Sequence, residues 1–109
     1  LAFRREGIGQ DVLSRLRRGH WSVQRHLDLH GMTREIARDA LSQFIRHAER
    51  DGLRCVRVIH GKGNGSPGRE PVLKGKVRAW LVQKSEVLAF AQASAQDGGH
   101  GAVLVLLRG

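Results

Sequence analysis

The residues best suited to chemistry lie in two short stretches, Leu27-Asp28-Leu29-His30-Gly31 and His60-Gly61-Lys62-Gly63. Successive side chains of a β-strand point to opposite faces, so the two leucines can enter a core while Asp28 and His30 share the other face. An imidazole exchanges a proton near neutral pH, and a carboxylate beside it orients the ring. The first stretch is therefore a candidate acid–base pair at the end of a strand.

The second stretch combines groups that suit a phosphate. Glycines let backbone amides approach closely, Lys62 supplies a positive charge, and His60 can exchange a proton. The spacing of a phosphate-binding Walker A loop is absent, as is a dinucleotide-binding Gly-x-Gly-x-x-Gly context. Taken alone, the stretch is also typical of a flexible turn, so its interpretation depends on what lies beside it.

Together, the two stretches hold the groups needed to cleave a phosphodiester bond without a metal. One imidazole takes a proton from the nucleophile, another acid protonates the leaving oxygen, and a lysine stabilises the phosphoryl group. The chemistry favours RNA, whose 2′-hydroxyl is a built-in nucleophile, although DNA remains a candidate substrate. Which histidine is acid and which is base stays open. The predicted catalytic residues are Asp28, His30, His60 and Lys62.

Asp28 and His30 have two alternative interpretations, as metal ligands or as a hydrogen-bonded pair that only stabilises the sheet edge. A two-metal nuclease needs several converging carboxylates. The one other carboxylate expected near this edge is Glu70, which lies beyond a flexible loop. We therefore predict that the reaction requires no cofactor and that the protein has no dedicated metal site. Binding of one divalent ion such as Mg²⁺ is an alternative that the sequence allows.

The elements between the two stretches predict that both reach one edge of a sheet. We predict a strand over 23–30, a helix from Thr33 to about 51 and a strand over 53–60. Two strands joined by such a helix form a right-handed, parallel unit and share their carboxyl edge. His60 is thus expected to emerge beside His30.

The remaining pattern completes the fold. A second helix is predicted over 71–84 and further strands over 87–91 and 102–107, the last apolar throughout and therefore central. The order β-α-β-α-β-β predicts an α/β protein, a two-layer sandwich with a mixed four-stranded sheet. We predict that residues 1–22 form a basic arm with a short helix and that residues 23–109 form the α/β domain.

The charge balance indicates a polyanionic partner. Nineteen Lys and Arg against ten Asp and Glu give a net charge of +9 and a pI of about 11.4. Nucleic acid is the partner that such a charge favours, and a merely solvated basic surface is the alternative. The predicted phosphate contacts are Gly61, Gly63, Arg69, Lys74, Lys76, Arg78, Arg17 and Arg18.

Several function classes are excluded or disfavoured. Cys55 is the single cysteine, which excludes an intramolecular disulfide. No apolar run is long enough to span a bilayer and no signal peptide is visible, so we expect a cytoplasmic protein with no membrane partner. We also expect the protein to act as a monomer. A chain that begins at Leu1 is expected to be a fragment of a longer protein.

Two further histidines are less strongly predicted to belong to the catalytic site. His26 lies on the same strand face as Asp28 but further from the edge. His100 sits in a glycine-rich turn before the last strand, and it reaches the site only if that turn folds toward the carboxyl edge.

These residues closely resemble the small MutS-related (Smr) domain family. The resemblance spans essentially the whole chain, and the segments that carry it are 27–31, Thr33, Ile-His-Gly-Lys-Gly at 59–63, 71–74, Gly-His-Gly-Ala at 99–102 and the arm ending in Leu-Arg-Arg-Gly before Trp21. It implies a fold similar to the carboxyl-terminal domain of bacterial translation initiation factor 3. It also implies endonuclease activity on DNA or messenger RNA, including at stalled ribosomes.

The family's Asp-x-His motif carries over to Asp28 and His30. Its His-Gly-x-Gly motif carries over to His60, Gly61 and Gly63, so both motifs are intact. We accordingly predict a nucleic-acid endonuclease. The rivals are a non-catalytic module that binds nucleic acid or the ribosome, and a small-molecule phosphatase with a deep pocket.

Overall fold

The computed structural model describes residues 2–62 and 72–109, which form a mixed five-stranded sheet flanked by three α-helices. In chain order the elements are β1 (Ala2–Arg4), α1 (Gln10–Arg17), β2 (Arg25–Asp28), α2 (Arg34–Arg50), β3 (Cys55–Ile59), α3 (Val72–Val82), β4 (Val87–Gln92) and β5 (Ala102–Leu107). Two short 3₁₀ turns, Ala95–Asp97 and Gly99–Gly101, precede the last strand.

The strand order across the sheet is β1-β4-β5-β3-β2. β2 and β3 are parallel, and β5 runs antiparallel between β3 and β4. Every residue of β5 is buried, because both faces of this central strand are covered. The α/β fold class, the parallel pair and the central last strand are all confirmed.

The strand count was wrong, since the sheet has five strands rather than four. The additional strand is β1, which pairs antiparallel with β4 and places Phe3 against Phe90 with 5.3 Å between the ring centroids. Three residues are too few to show an alternating pattern. Their conformation is set by the long-range pairing, which the local sequence does not encode.

The helices lie on both faces of the sheet. α2 and α3 cover one face and bury Val56, Val58 and Val105, while α1 covers the other through Leu13 and Leu16. The predicted two-layer sandwich thus gains a helix on its second face, contributed by the arm. Each fully buried leucine or valine contributes about 1.5–3 kcal/mol by leaving water.

α2 fixes the position of the first stretch relative to the core. The Thr33 hydroxyl accepts a hydrogen bond from the Ile36 backbone N–H at 3.3 Å and caps the helix. Ala37, Leu41 and Ile45 are buried at helical spacing against the sheet. The helix therefore anchors the turn that follows β2.

Helix α1 packs over β4, and the side chains that β2 directs to this sheet face remain exposed. β2 alternates accordingly, with Leu27 partly buried on the side of α2 and both His26 and Asp28 exposed on the other. Residues 2–62 and 72–109 contain no helix with the length and apolar character that spanning a bilayer requires.

Candidate functional site

The two stretches leave the sheet side by side. Asp28 is in register with Ile59, and the Leu29 backbone N–H donates to the Ile59 carbonyl at 2.7 Å. A side chain at Gly61 would place its Cβ 3.3 Å from the Cβ of His30. Parallel pairing therefore brings the backbones of the two stretches into contact at the carboxyl edge of the sheet.

Asp28 and His30 form a hydrogen-bonded pair that is open to solvent. His30 Nδ1 lies 2.6 Å from Asp28 Oδ1, and the same oxygen accepts the His30 backbone N–H at 3.0 Å. The side chains are 70% and 48% exposed for His30 and Asp28, respectively. An aspartate side chain that accepts the backbone N–H two residues further along the chain forms an Asx turn, which its short side chain favours.

The pair has a defined proton arrangement. The hydrogen bond from His30 is the main cause that lowers the pKa of Asp28, so the carboxylate is ionised at neutral pH. An ionised carboxylate only accepts, which assigns the hydrogen to His30 Nδ1. When Nδ1 carries the hydrogen of a neutral imidazole, Nε2 carries the lone pair that can accept a proton.

His60 lies at the same edge in a different environment. Its side chain is on the sheet face covered by α3, and the residue is 4% exposed. Its Nδ1 lies 2.8 Å from the Gly61 carbonyl oxygen, to which it donates. Within the described chain, its buried Nε2 has no hydrogen-bond partner. The sequence predicted a proton-transferring role for His60, and the structure places the ring inside the protein.

The charge state of His60 follows from its surroundings. Burial is the main cause that lowers its pKa, the positive charges of Lys74 and Arg78 lower it further, and the bond to Gly61 opposes them. The ring is therefore neutral at physiological pH. In this form it holds the Gly61 carbonyl and so fixes the start of the glycine-rich stretch.

The Gly99–Gly101 turn folds onto the second stretch. The Gly101 carbonyl accepts the backbone N–H groups of His60 at 2.9 Å and Gly61 at 3.0 Å. A Cβ at Gly101 would lie 3.2 Å from the Cγ of Lys62. The sequence did not predict the direction of this turn. The available signal was its run of glycines beside an apolar strand, because glycine allows two backbones to approach closely. Exposed His100 is thereby brought to the edge.

The predicted phosphate contacts separate into two groups. One group, Lys74, Lys76 and Arg78, lies on α3, and the charges of Lys74 and Arg78 lower the pKa of His60. The other group, Arg17 and Arg18, lies at the end of α1 on the opposite sheet face. Lys62 and Lys76 are exposed. Gly63 and Arg69 lie outside the described residues.

A metal ion would find few protein ligands here. Within residues 2–62 and 72–109, no three His, Cys, Asp or Glu side chains are grouped to hold one. A Mg²⁺ ion beside Asp28 would take most of its ligands from water and substrate phosphate, as this ion commonly does.

Comparison with known proteins identifies related chains. Residues 27–108 match the family model of the Smr domain. The chain is 38% identical over 105 residues to a protein of Aliivibrio salmonicida named ribosome rescue factor SmrB, covering 96% of this chain and 56% of that protein. It is 39% identical over 108 residues to an Escherichia coli protein named probable DNA endonuclease SmrA, covering 99% and 58%. The chain thus spans little more than half the length of these relatives.

Two solved structures share the fold. YdaL, a stand-alone small MutS-related protein from Escherichia coli, superposes with a TM-score of 0.86 at 38% identity, covering 100% of this chain and 83% of that one. The Smr domain of Thermus thermophilus MutS2 superposes with a TM-score of 0.69 at 34% identity, covering 78% and 99%.

Proposed function

The chain belongs to the Smr domain family, and from this premise we propose that it is a nucleic-acid endonuclease acting through Asp28 and His30. The observation that carries the proposal is the exposed pair itself, in which His30 Nδ1 is hydrogen-bonded to the ionised carboxylate of Asp28. A surface that only bound phosphate would gain nothing from an anionic Asp28. A histidine oriented by a carboxylate is well suited to abstract a proton.

The proposed step begins at His30. Its Nε2 takes the proton of the nucleophilic hydroxyl, the nucleophile forms a bond to phosphorus, and the bond from phosphorus to the 5′ oxygen breaks. The leaving oxygen takes up a proton from a general acid. Asp28 stabilises the protonated imidazole, and Lys62, exposed beside Gly101, offsets the added negative charge on the phosphoryl oxygens.

RNA is the substrate class that this arrangement favours. The ribose 2′-hydroxyl supplies a nucleophile already attached to the substrate, so one base and one acid complete the reaction. Cleavage of DNA requires an activated water instead. A relative named ribosome rescue factor supports an RNA context, whereas the relative named probable DNA endonuclease keeps DNA as the alternative substrate.

Binding is proposed to come from the cations around the edge. Lys62 would hold a phosphate beside the reacting bond. Lys74, Lys76 and Arg78 on α3, and Arg17 with Arg18 at the end of α1, would hold other parts of the strand. Such contacts release counterions, so affinity should fall steeply with salt. The net charge of +9 supports rapid, sequence-independent association.

The test offers the purified protein plasmid DNA and single-stranded RNA, each with and without EDTA. We expect RNA cleavage that survives EDTA and leaves 2′,3′-cyclic phosphate ends, because a histidine base uses the 2′-hydroxyl. Nicking of DNA that depends on a divalent ion would overturn the choice of substrate and of chemistry. Absence of cleavage on both substrates would overturn the endonuclease proposal itself.

The second candidate is a non-catalytic module that binds nucleic acid or the ribosome. It is favoured by the basic last turn of α1 and by the name of the ribosome-rescue relatives. In that case Asp28 would weaken binding to phosphate, so its removal would raise affinity, and the wild-type protein would cleave neither RNA nor DNA.

A further inference from the structure

Cleavage with His30 as the base requires a second group that gives a proton to the leaving oxygen. His60 is poorly placed for this role, because the residue is 4% exposed and its Nδ1 is engaged by the Gly61 carbonyl. A buried ring cannot contact the backbone of a polymer that stays on the surface. Another acid at this edge is therefore needed.

His100 is an exposed imidazole on the turn that closes over the glycine stretch. The turn is anchored at its far end by Gly101, whose carbonyl accepts two backbone hydrogen bonds from His60 and Gly61. At its near end, Arg57 Nη1 donates to the Asp97 carbonyl at 3.1 Å. The two anchors hold the turn against β3, so the position of His100 is set by the sheet.

Gly61 lies between His30 and this turn. A Cβ at position 61 would be 3.3 Å from the Cβ of His30, and a Cβ at position 101 would be 3.6 Å from the carbonyl carbon of Gly61. β2, β3 and β5 are neighbours in the sheet, and two strand spacings separate the outer backbones by about 10 Å. His30 follows β2 and His100 precedes β5, so the backbone of Gly61, which carries no side chain, lies between the two histidines at this edge.

We propose that His100 is the general acid of the reaction, opposite His30 across Gly61. Protonated His100 gives its proton to the 5′ oxygen as the bond from phosphorus to that oxygen breaks, while His30 holds the proton taken from the nucleophile. Proton exchange with water then restores both rings. This inference rests on the proposed endonuclease function and names a further catalytic residue for it.

The test compares an ordinary RNA with one whose scissile 5′ oxygen is replaced by sulfur. A thiolate leaves without protonation, so loss of a general acid slows only the oxygen substrate. We expect His100→Ala and His100→Gln to cut ordinary RNA about 10²-fold more slowly than the wild type and the sulfur-substituted RNA within about threefold of it. His30→Ala should be slow on both substrates.

His47→Ala is the matched control, because His47 is an exposed histidine in the last turn of α2 and should leave both rates unchanged. If His100→Ala cuts ordinary RNA within about twofold of the wild type, or is equally slow on both substrates, His100 is not the acid. A wild-type protein that cuts neither substrate refutes the endonuclease function instead. Thermal melting of each variant checks that the fold is retained.

Discussion

His30 and His60 follow adjacent parallel strands and end in opposite environments. His30 is 70% exposed and bonded to a carboxylate, whereas His60 is 4% exposed and bonded to a backbone carbonyl. Successive side chains of a strand alternate between the two faces of the sheet. Asp28 and His30 therefore lie on the exposed face of β2, whereas Leu29 and His60 lie on the face covered by α2 and α3. The same residue type is thus available for proton transfer at one position and for fixing the backbone at the other.

The largest effect should come from the exposed pair. Asp28→Asn and His30→Ala should each lower the cleavage rate by about 10²–10⁴-fold, because one removes the orienting carboxylate and the other removes the base. Binding to uncut RNA and its salt dependence should change little, since the proposed phosphate contacts are made by the cations rather than by this pair. Single-turnover cleavage and fluorescence anisotropy measure the two quantities.

His26→Ala is the control for this first prediction. His26 lies on the same exposed face of β2, two residues before Asp28. Its variant should retain nearly full activity. If all three variants cut at the wild-type rate, the exposed pair is not the catalytic centre and the contrast with His60 has no functional meaning.

An intermediate effect on the cleavage rate should come from Gly61, which lies between His30 and His100. Gly61→Ala and Gly52→Ala each place a side chain at a positive φ, +89° and +73°, and each should cost about 1–3 kcal/mol of stability. Only the Cβ at position 61 meets His30, at 3.3 Å, whereas nothing lies within 4 Å of one at position 52. We therefore expect a cleavage defect of about tenfold or more for Gly61→Ala alone, measured where both variants are folded.

Equal activity losses for the two glycine variants would show that cleavage follows overall stability. The approach of Gly61 to His30 would then have no part in positioning the base.

The smallest effect should appear in the pH dependence of stability. Burial lowers the pKa of His60 below its ordinary value of 6.5. The folded protein therefore binds fewer protons than the unfolded chain, and the stability from neutral His60 is complete above about pH 6.5 and decreases as the pH falls toward the lowered folded value. Urea unfolding at about pH 8 and about pH 5 should show a larger loss of free energy for the wild type than for His60→Gln.

Parallel curves for the wild type and His60→Gln would show that the buried ring does not titrate as its environment indicates.

Sequence patterning could predict most of the fold near the site. The apolar stripe of α2 and the crossover between β2 and β3 required parallel strands, and this placed the two stretches at one edge. The fully apolar β5 predicted its central position. β1 could not be found in this way, because Ala2–Arg4 become a strand only through pairing with β4.

The sequence by itself determined which residues could transfer protons and that Asp28, His30 and the glycine stretch would share an edge, since these follow from side-chain chemistry and the handedness of parallel crossovers. The tertiary structure alone decided that His60 is buried beneath α3 and that the turn bearing His100 closes over Gly61. Burial and turn direction depend on contacts between segments far apart in the chain, and no local pattern specifies such contacts.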